Sequence, residues 1–241
     1  FENNIAAKDG GAIYGGINAE VIRCYFANNE ALQNGGAIWA MTGQKTTECT
    51  FFENKAINGG ALYTNYNNNM VSSSIFLANE AENGGAIYLA SGKVGHKIYN
   101  TLIAHNEAEV AGGLWSGSEL LLVHSTIVKN KSFVAGGISG TSSDIIYNAI
   151  IWGNSAGSYP QIAGDANISY TAIEGLVNPQ QNNISLPEQT NDSVYFLNPT
   201  IFIGKPLIAQ EYANLAQANY EISGLSVCKD VGTSTIPNFQ F

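Results

Sequence analysis

An all-β solenoid, a single-stranded right-handed parallel β-helix of about 25 residues per coil, is the fold this sequence predicts. Three observations predict it. An apolar residue followed three positions later by Asn recurs as Phe1/Asn4, Phe26/Asn29, Phe51/Asn54, Phe76/Asn79, Ile103/Asn106, Ile127/Asn130 and Ile151/Asn154, with the asparagines 25, 25, 25, 27, 24 and 24 residues apart. A second motif keeps phase with the first: Gly10-Gly11-Ala12-Ile13-Tyr14, Gly35-Gly36-Ala37-Ile38-Trp39, Gly59-Gly60-Ala61-Leu62-Tyr63 and Gly84-Gly85-Ala86-Ile87-Tyr88, then the weaker Gly112-Gly113-Leu114-Trp115 and Gly136-Gly137-Ile138. Finally, 26 glycines and only 12% charged residues suit β-structure with tight turns better than helices.

A unit this short cannot bury its own apolar face, so it must stack on copies of itself. Stacked coils lie about 4.8 Å apart, and equivalent residues then form columns along the axis. The apolar column Phe26, Phe51, Phe76, Ile103, Ile127, Ile151 and the small column two residues earlier, Cys24, Cys49, Ser74, Thr101, Ser125, Ala149, are expected inside, because strand side chains alternate. Ala6, Ala31, Ala56, Ala81 and Ala108 mark a place where only a methyl fits. Each Asn is expected to turn a corner in left-handed backbone and to hydrogen-bond its counterpart in the next coil. Glu30, Lys55, Glu80, Glu107 and Lys131 form a column of partly alternating charge, expected to face solvent.

The regular pattern defines residues 1–175 as β-helix repeats and leaves 176–241 as irregular C-terminal coils or a cap continuing the same solenoid. At 241 residues and 45% hydrophobic content, one elongated domain can fill a continuous core. The chain opens inside a repeat, so targeting and anchoring segments are expected outside it.

The net charge of -9, with Arg23 the single arginine, argues against nucleic acid, whose phosphates demand clustered Lys and Arg. No apolar run approaches the roughly 20 residues needed to cross a bilayer, so this segment is not expected to contact membrane itself. No cofactor, metal site or catalytic set is expected. His96, His105 and His124 stand on different coils, and the five aspartates are scattered. Cys24 and Cys49 are ladder neighbours at a spacing that permits a disulfide or a buried pair of thiols; Cys228 has no evident partner. The remaining candidate is Tyr14, Trp39, Tyr63, Tyr88 and, with one residue deleted from its motif, Trp115. If the preceding aliphatic residue points inward, these rings form an outward ladder suited to sugars or a protein partner; otherwise they shield a sheet edge.

The paired FxxN and GGAI motifs over about residues 1–155 resemble the repeats of chlamydial polymorphic membrane proteins and, more widely, bacterial β-helix repeat proteins. Residues 150–155, 168–175, 196–199, 219–222 and 226–233 resemble surface β-helix proteins of the choice-of-anchor kind. These resemblances imply a secreted or cell-surface adhesin or binding stalk, on a Gram-negative outer membrane, with a glycan or a host or neighbour-cell surface protein as partner. A polysaccharide lyase or glycoside hydrolase of pectate-lyase-like fold, or a structural spacer, are the alternatives. The lyase set of calcium-binding acids with a basic residue, and the Gly-His-Gly of polygalacturonases, do not occur here.

Overall fold

A computed structural model describes residues 1–186, 196–198, 203–216 and 219–222 of the chain. Three parallel sheets run along a solenoid of stacked coils. The first has seven strands, from Ile13–Tyr14 to Ile162–Ala163, and carries the Gly-Gly-Ala-Ile motif. The second has seven strands, from Glu20–Ile22 to Asn167–Ser169, and the third has eight, from Tyr25–Ala27 to Ile184–Leu186. Register follows the repeat residue for residue: Phe26 pairs Phe51, Phe51 pairs Phe76, Phe76 pairs Ile103, and Ile103 pairs Ile127.

The expected apolar column is the core. Phe26, Phe51 and Phe76 are fully buried, and their rings stack at 4.9 and 4.5 Å. Ile38, Leu62, Ile87 and Leu114 from the first sheet and Val71, Ile98 and Leu122 from the second meet them in one continuous cluster. The alanine column is buried as expected, from Ala31 to Ala108. Cys24 and Cys49 are free thiols; Cys49 donates to the Thr47 and Val21 carbonyls at 3.3 and 3.4 Å, and burial raises its pKa. Cys228 lies outside the described residues.

The asparagine column forms a continuous buried amide ladder. Each Nδ2 donates to the Oδ1 of the next coil at 2.7–2.9 Å, from Asn4 through Asn29, Asn54, Asn79, Asn106 and Asn130 to Asn154. The same Oδ1 also accepts the backbone N–H of the preceding asparagine, and the second amide hydrogen reaches a backbone carbonyl. A fully buried amide with every group paired in this way stabilises the fold, whereas an orphaned one would oppose it.

One detail of the corner corrects the sequence reading. The left-handed residue is the one before each asparagine: Asn3, Asn28, Glu53, Ala78, His105, Lys129 and Gly153 have φ of 52 to 64°. The asparagine cannot both turn the corner and aim its amide into the ladder, so its predecessor takes the strained φ. The Gly-Gly motif has a similar division of labour. Gly10, Gly35, Gly59 and Gly84 have φ of 62 to 65°. The second glycine instead permits close stacking, since a Cβ on Gly60 would lie 2.2 Å from the Gly85 carbonyl oxygen.

Where the motif weakens, no residue has been deleted. Leu114 and Trp115 pair Ile87 and Tyr88, so Ala111-Gly112-Gly113 occupies the places of Gly84-Gly85-Ala86. Ala111 replaces the left-handed glycine and is absent from the left-handed backbone positions. Gly112 keeps the close-stacking place, 2.5 Å from the next coil's carbonyl oxygen for an added Cβ.

The outer side of the third sheet is also apolar. Ala104, Val128, Ile150, Trp152, Ala172 and Leu186 form a second buried cluster there. Strands that are apolar on both faces require cover on both faces. Residues 176–186 complete the last coil, but residues 203–216 lie along the flank rather than over the end. Gly204 N–H donates to the Lys129 carbonyl at 2.7 Å, and its own carbonyl meets His105 Nδ1 at 3.0 Å. Lys205 pairs Glu80 at 3.0 Å, and the helix Ala209–Ala216 places Tyr212 on Glu53 and buries Leu215.

Candidate binding flank of stacked aromatic rings

The five rings singled out from the sequence share one column on the outer side of the first sheet, in register Tyr14, Trp39, Tyr63, Tyr88, Trp115. Strand alternation puts them there: Ile38, Leu62, Ile87 and Leu114, one residue earlier, fill the core. Their exposure is graded. Tyr14 is 63% exposed, Trp39 only 6%, and Tyr63, Tyr88 and Trp115 are half-buried.

The rings stack on each other instead of standing free. Tyr14 and Trp39 lie 4.3 Å apart at 14°, Tyr63 and Tyr88 5.4 Å apart at 15°, and Tyr88 and Trp115 5.6 Å apart at 9°. Between Trp39 and Tyr63 the stack is interrupted, and Tyr66 meets the indole of Trp39 edge-on at 5.3 Å. Tyr66 covers Trp39 and was not distinguishable in the sequence, because it belongs to a turn that the repeat does not constrain. Stacked rings occupy one another's faces, so the flank offers mainly ring edges to a partner. Burial raises the pKa of Tyr63 and Tyr88, keeping both hydroxyls protonated well above neutrality.

The charged column faces outward and pairs along the axis. Lys55 meets Glu80 at 2.6 Å and Lys131 meets Glu107 at 2.8 Å. Burial alone would raise the Glu80 pKa, but its pairing with Lys55 and Lys205 holds it below the ordinary value. These carboxylates are thus ion-paired.

The histidines stand apart. His96 is buried, and burial pushes its pKa down to about 4; among the described residues neither ring nitrogen has a hydrogen-bond partner. His105 is buried beneath Gly204, and burial pushes its pKa down to about 3. His124 Nε2 and Asn148 Nδ2 are 2.9 Å apart. His96 belongs to a polar corner the sequence reading missed, in line with Gln44, Asn69, Leu120 and Asp144. Asp144 accepts from Leu120 N–H at 3.1 Å, Ser116 Oγ at 3.0 Å and Thr141 N–H at 2.8 Å, while burial pushes its pKa up to about 6. Among the described residues, no group of three His, Cys, Asp or Glu converges on a point that could hold a metal ion.

The fold and the ring-lined flank define a parallel β-solenoid repeat protein. The Chlamydia polymorphic membrane protein repeat model matches residues 1–16, 23–41 and 48–65, the first three coils, so the chain is a β-helix repeat protein resembling that family. No curated protein and no solved structure matches the chain.

Proposed function

We propose that this chain is a surface-displayed, non-catalytic binding stalk, an adhesin whose aromatic flank contacts a glycan or a protein on a host or neighbouring cell. The observation that supports this most is the column of Tyr14, Trp39, Tyr63, Tyr88 and Trp115 on an outer sheet face. Core packing does not need rings there, because the aliphatic residues beside them already fill the interior. Large rigid rings in a row supply contact area at small entropic cost, which suits a binding surface. Because the rings cover one another's faces, a partner meets their edges, which favours a protein surface or sugar hydroxyls over a pyranose stacked on a ring face.

A glycan array and a cell-adhesion assay with the folded chain test the reading. Binding that disappears in a Tyr14→Ala/Tyr63→Ala/Tyr88→Ala variant supports it. Binding to neither glycans nor cells, or release of sugars from an acidic polysaccharide, would overturn it.

A further inference from the structure

Three Asn-Gly steps, Asn34-Gly35, Asn58-Gly59 and Asn83-Gly84, stack in adjacent coils at the turn into the first sheet, and Asp9-Gly10 holds the same place in the first coil. Their side chains form a second amide ladder, partly exposed and running opposite to the buried one. Asn83 Nδ2 donates to Asn58 Oδ1 at 2.9 Å, Asn58 Nδ2 to Asn34 Oδ1 at 2.9 Å, and Asn34 Nδ2 to Asp9 Oδ1 at 2.6 Å. A glycine after asparagine is chemically exposed, because without a Cβ its backbone nitrogen can approach the preceding side-chain carbonyl.

In two of the three steps both reacting groups are held elsewhere. Gly35 N–H donates to the Asn58 carbonyl and Gly59 N–H to the Asn83 carbonyl, both at 2.9 Å. Asn34 Oδ1 and Asn58 Oδ1 each accept from the following coil. The third step differs. The register of Ile87 with Leu114 sets Val110 opposite Asn83, so the next coil offers no amide. Among the described residues, Asn83 Oδ1 has no donor and Gly84 N–H no acceptor.

We infer that Asn83-Gly84 is a self-modification site, the reactive one of the three. The Gly84 backbone nitrogen attacks Asn83 Cγ, the bond from Cγ to Nδ2 breaks, and ammonia leaves with the nitrogen's proton. Water then opens the five-membered imide at either carbonyl, leaving an aspartyl or an isoaspartyl residue. No reactant other than water is consumed. The ladder's polarity makes the change consequential. Asp9 occupies the accepting end, where a carboxylate serves, but position 83 is the donating end, where a carboxylate oxygen would face Asn58 Oδ1. The isoaspartyl product also adds a methylene to the main chain just before the strand Ile87–Leu89 that carries Tyr88.

Incubation of the full chain in mildly alkaline buffer, followed by peptide mapping by mass spectrometry and enzymatic methylation of isoaspartyl residues, tests this. Conversion at position 83 is expected to be about tenfold faster than at 34 or 58, matching two missing hydrogen bonds. In denaturant the three rates should converge. Val110→Asn supplies the missing donor and should slow conversion at 83 toward the rate of the others. Equal rates in the folded protein, faster conversion at 34 or 58, or reaction only after denaturation would each overturn the inference. The comparison between folded and denatured wild-type protein stands even if Val110→Asn does not fold.

Discussion

Two columns of rings run through the first coils, one inside and one outside, and they are built for different ends. Phe26, Phe51 and Phe76 are completely buried, with aliphatic neighbours on the other two sheets. Tyr14, Trp39, Tyr63, Tyr88 and Trp115 follow the same period but grade from exposed to buried, and they stack on each other except between Trp39 and Tyr63, where Tyr66 meets the indole. Stacking alone therefore does not identify a core. What separates the columns is whether the remaining surface of each ring is covered, and this decides how much stability a ring carries.

The comparison can be broken most severely from inside. Phe51→Ala should lower unfolding free energy by about 3–5 kcal/mol, through lost transfer energy and the cavity left between Phe26 and Phe76. Chemical denaturation measures it. Asn79→Leu should cost about as much, roughly 4 kcal/mol, because the Asn54 backbone N–H and one Asn54 amide hydrogen lose their buried acceptor and the Phe51 carbonyl loses the donor that Asn79 supplies. Tyr88→Ala removes two half-exposed ring contacts and should cost about 1–2 kcal/mol. Should it prove as damaging as Phe51→Ala, the distinction between the columns would fail.

Acidity sharpens the comparison at the polar corner, where two buried groups titrate with opposite sign. The folded His96 pKa is depressed from 6.5 to about 4, so its stabilisation is present above pH 6.5 and is lost as pH falls through about 4. His105 acts in the same direction, from 6.5 to about 3. Asp144 is raised from 3.8 to about 6, so its contribution is present below 3.8 and is lost as pH rises through about 6. Between pH 7 and 4.5 the two histidines together outweigh the aspartate, and the protein should lose on the order of 3 kcal/mol. His96→Leu, which matches Leu120 in the same column, should roughly halve or abolish that loss, while Asp144→Asn should deepen it. Thermal melts at the two pH values read both effects. The smallest effect belongs to the surface: Lys55→Met should change stability by less than about 1 kcal/mol, since its pair with Glu80 is solvent-exposed.

Most of the solenoid was legible because stacking forces equivalent residues into columns, and a column shows in the sequence as a fixed spacing. Phe26, Phe51 and Phe76, the asparagine ladder and the alanine column all follow from that rule. The left-handed corner did not, because Asn28, Glu53, Ala78, His105 and Lys129 share a φ but no side-chain chemistry. The shift from Gly84-Gly85-Ala86 to Ala111-Gly112-Gly113 read as a deletion, since Gly-Gly dominates the pattern and only strand register shows which glycine the stacking needs. Residues 203–216 obey no repeat at all; their place on the flank depends on single contacts such as Lys205 with Glu80. The candidate site was legible as a column but not in its exposure, because Tyr66, which covers Trp39, comes from an unrepeated turn.

The most direct test of the account measures stability and binding on one sample, the Tyr14→Ala/Tyr63→Ala/Tyr88→Ala variant beside Phe51→Ala, by denaturant unfolding and by cell adhesion. The triple variant should stay folded, lose less stability than Phe51→Ala, and no longer adhere. Adhesion intact in a triple variant that has lost as much stability as Phe51→Ala would show that the outer rings serve the fold and not a partner.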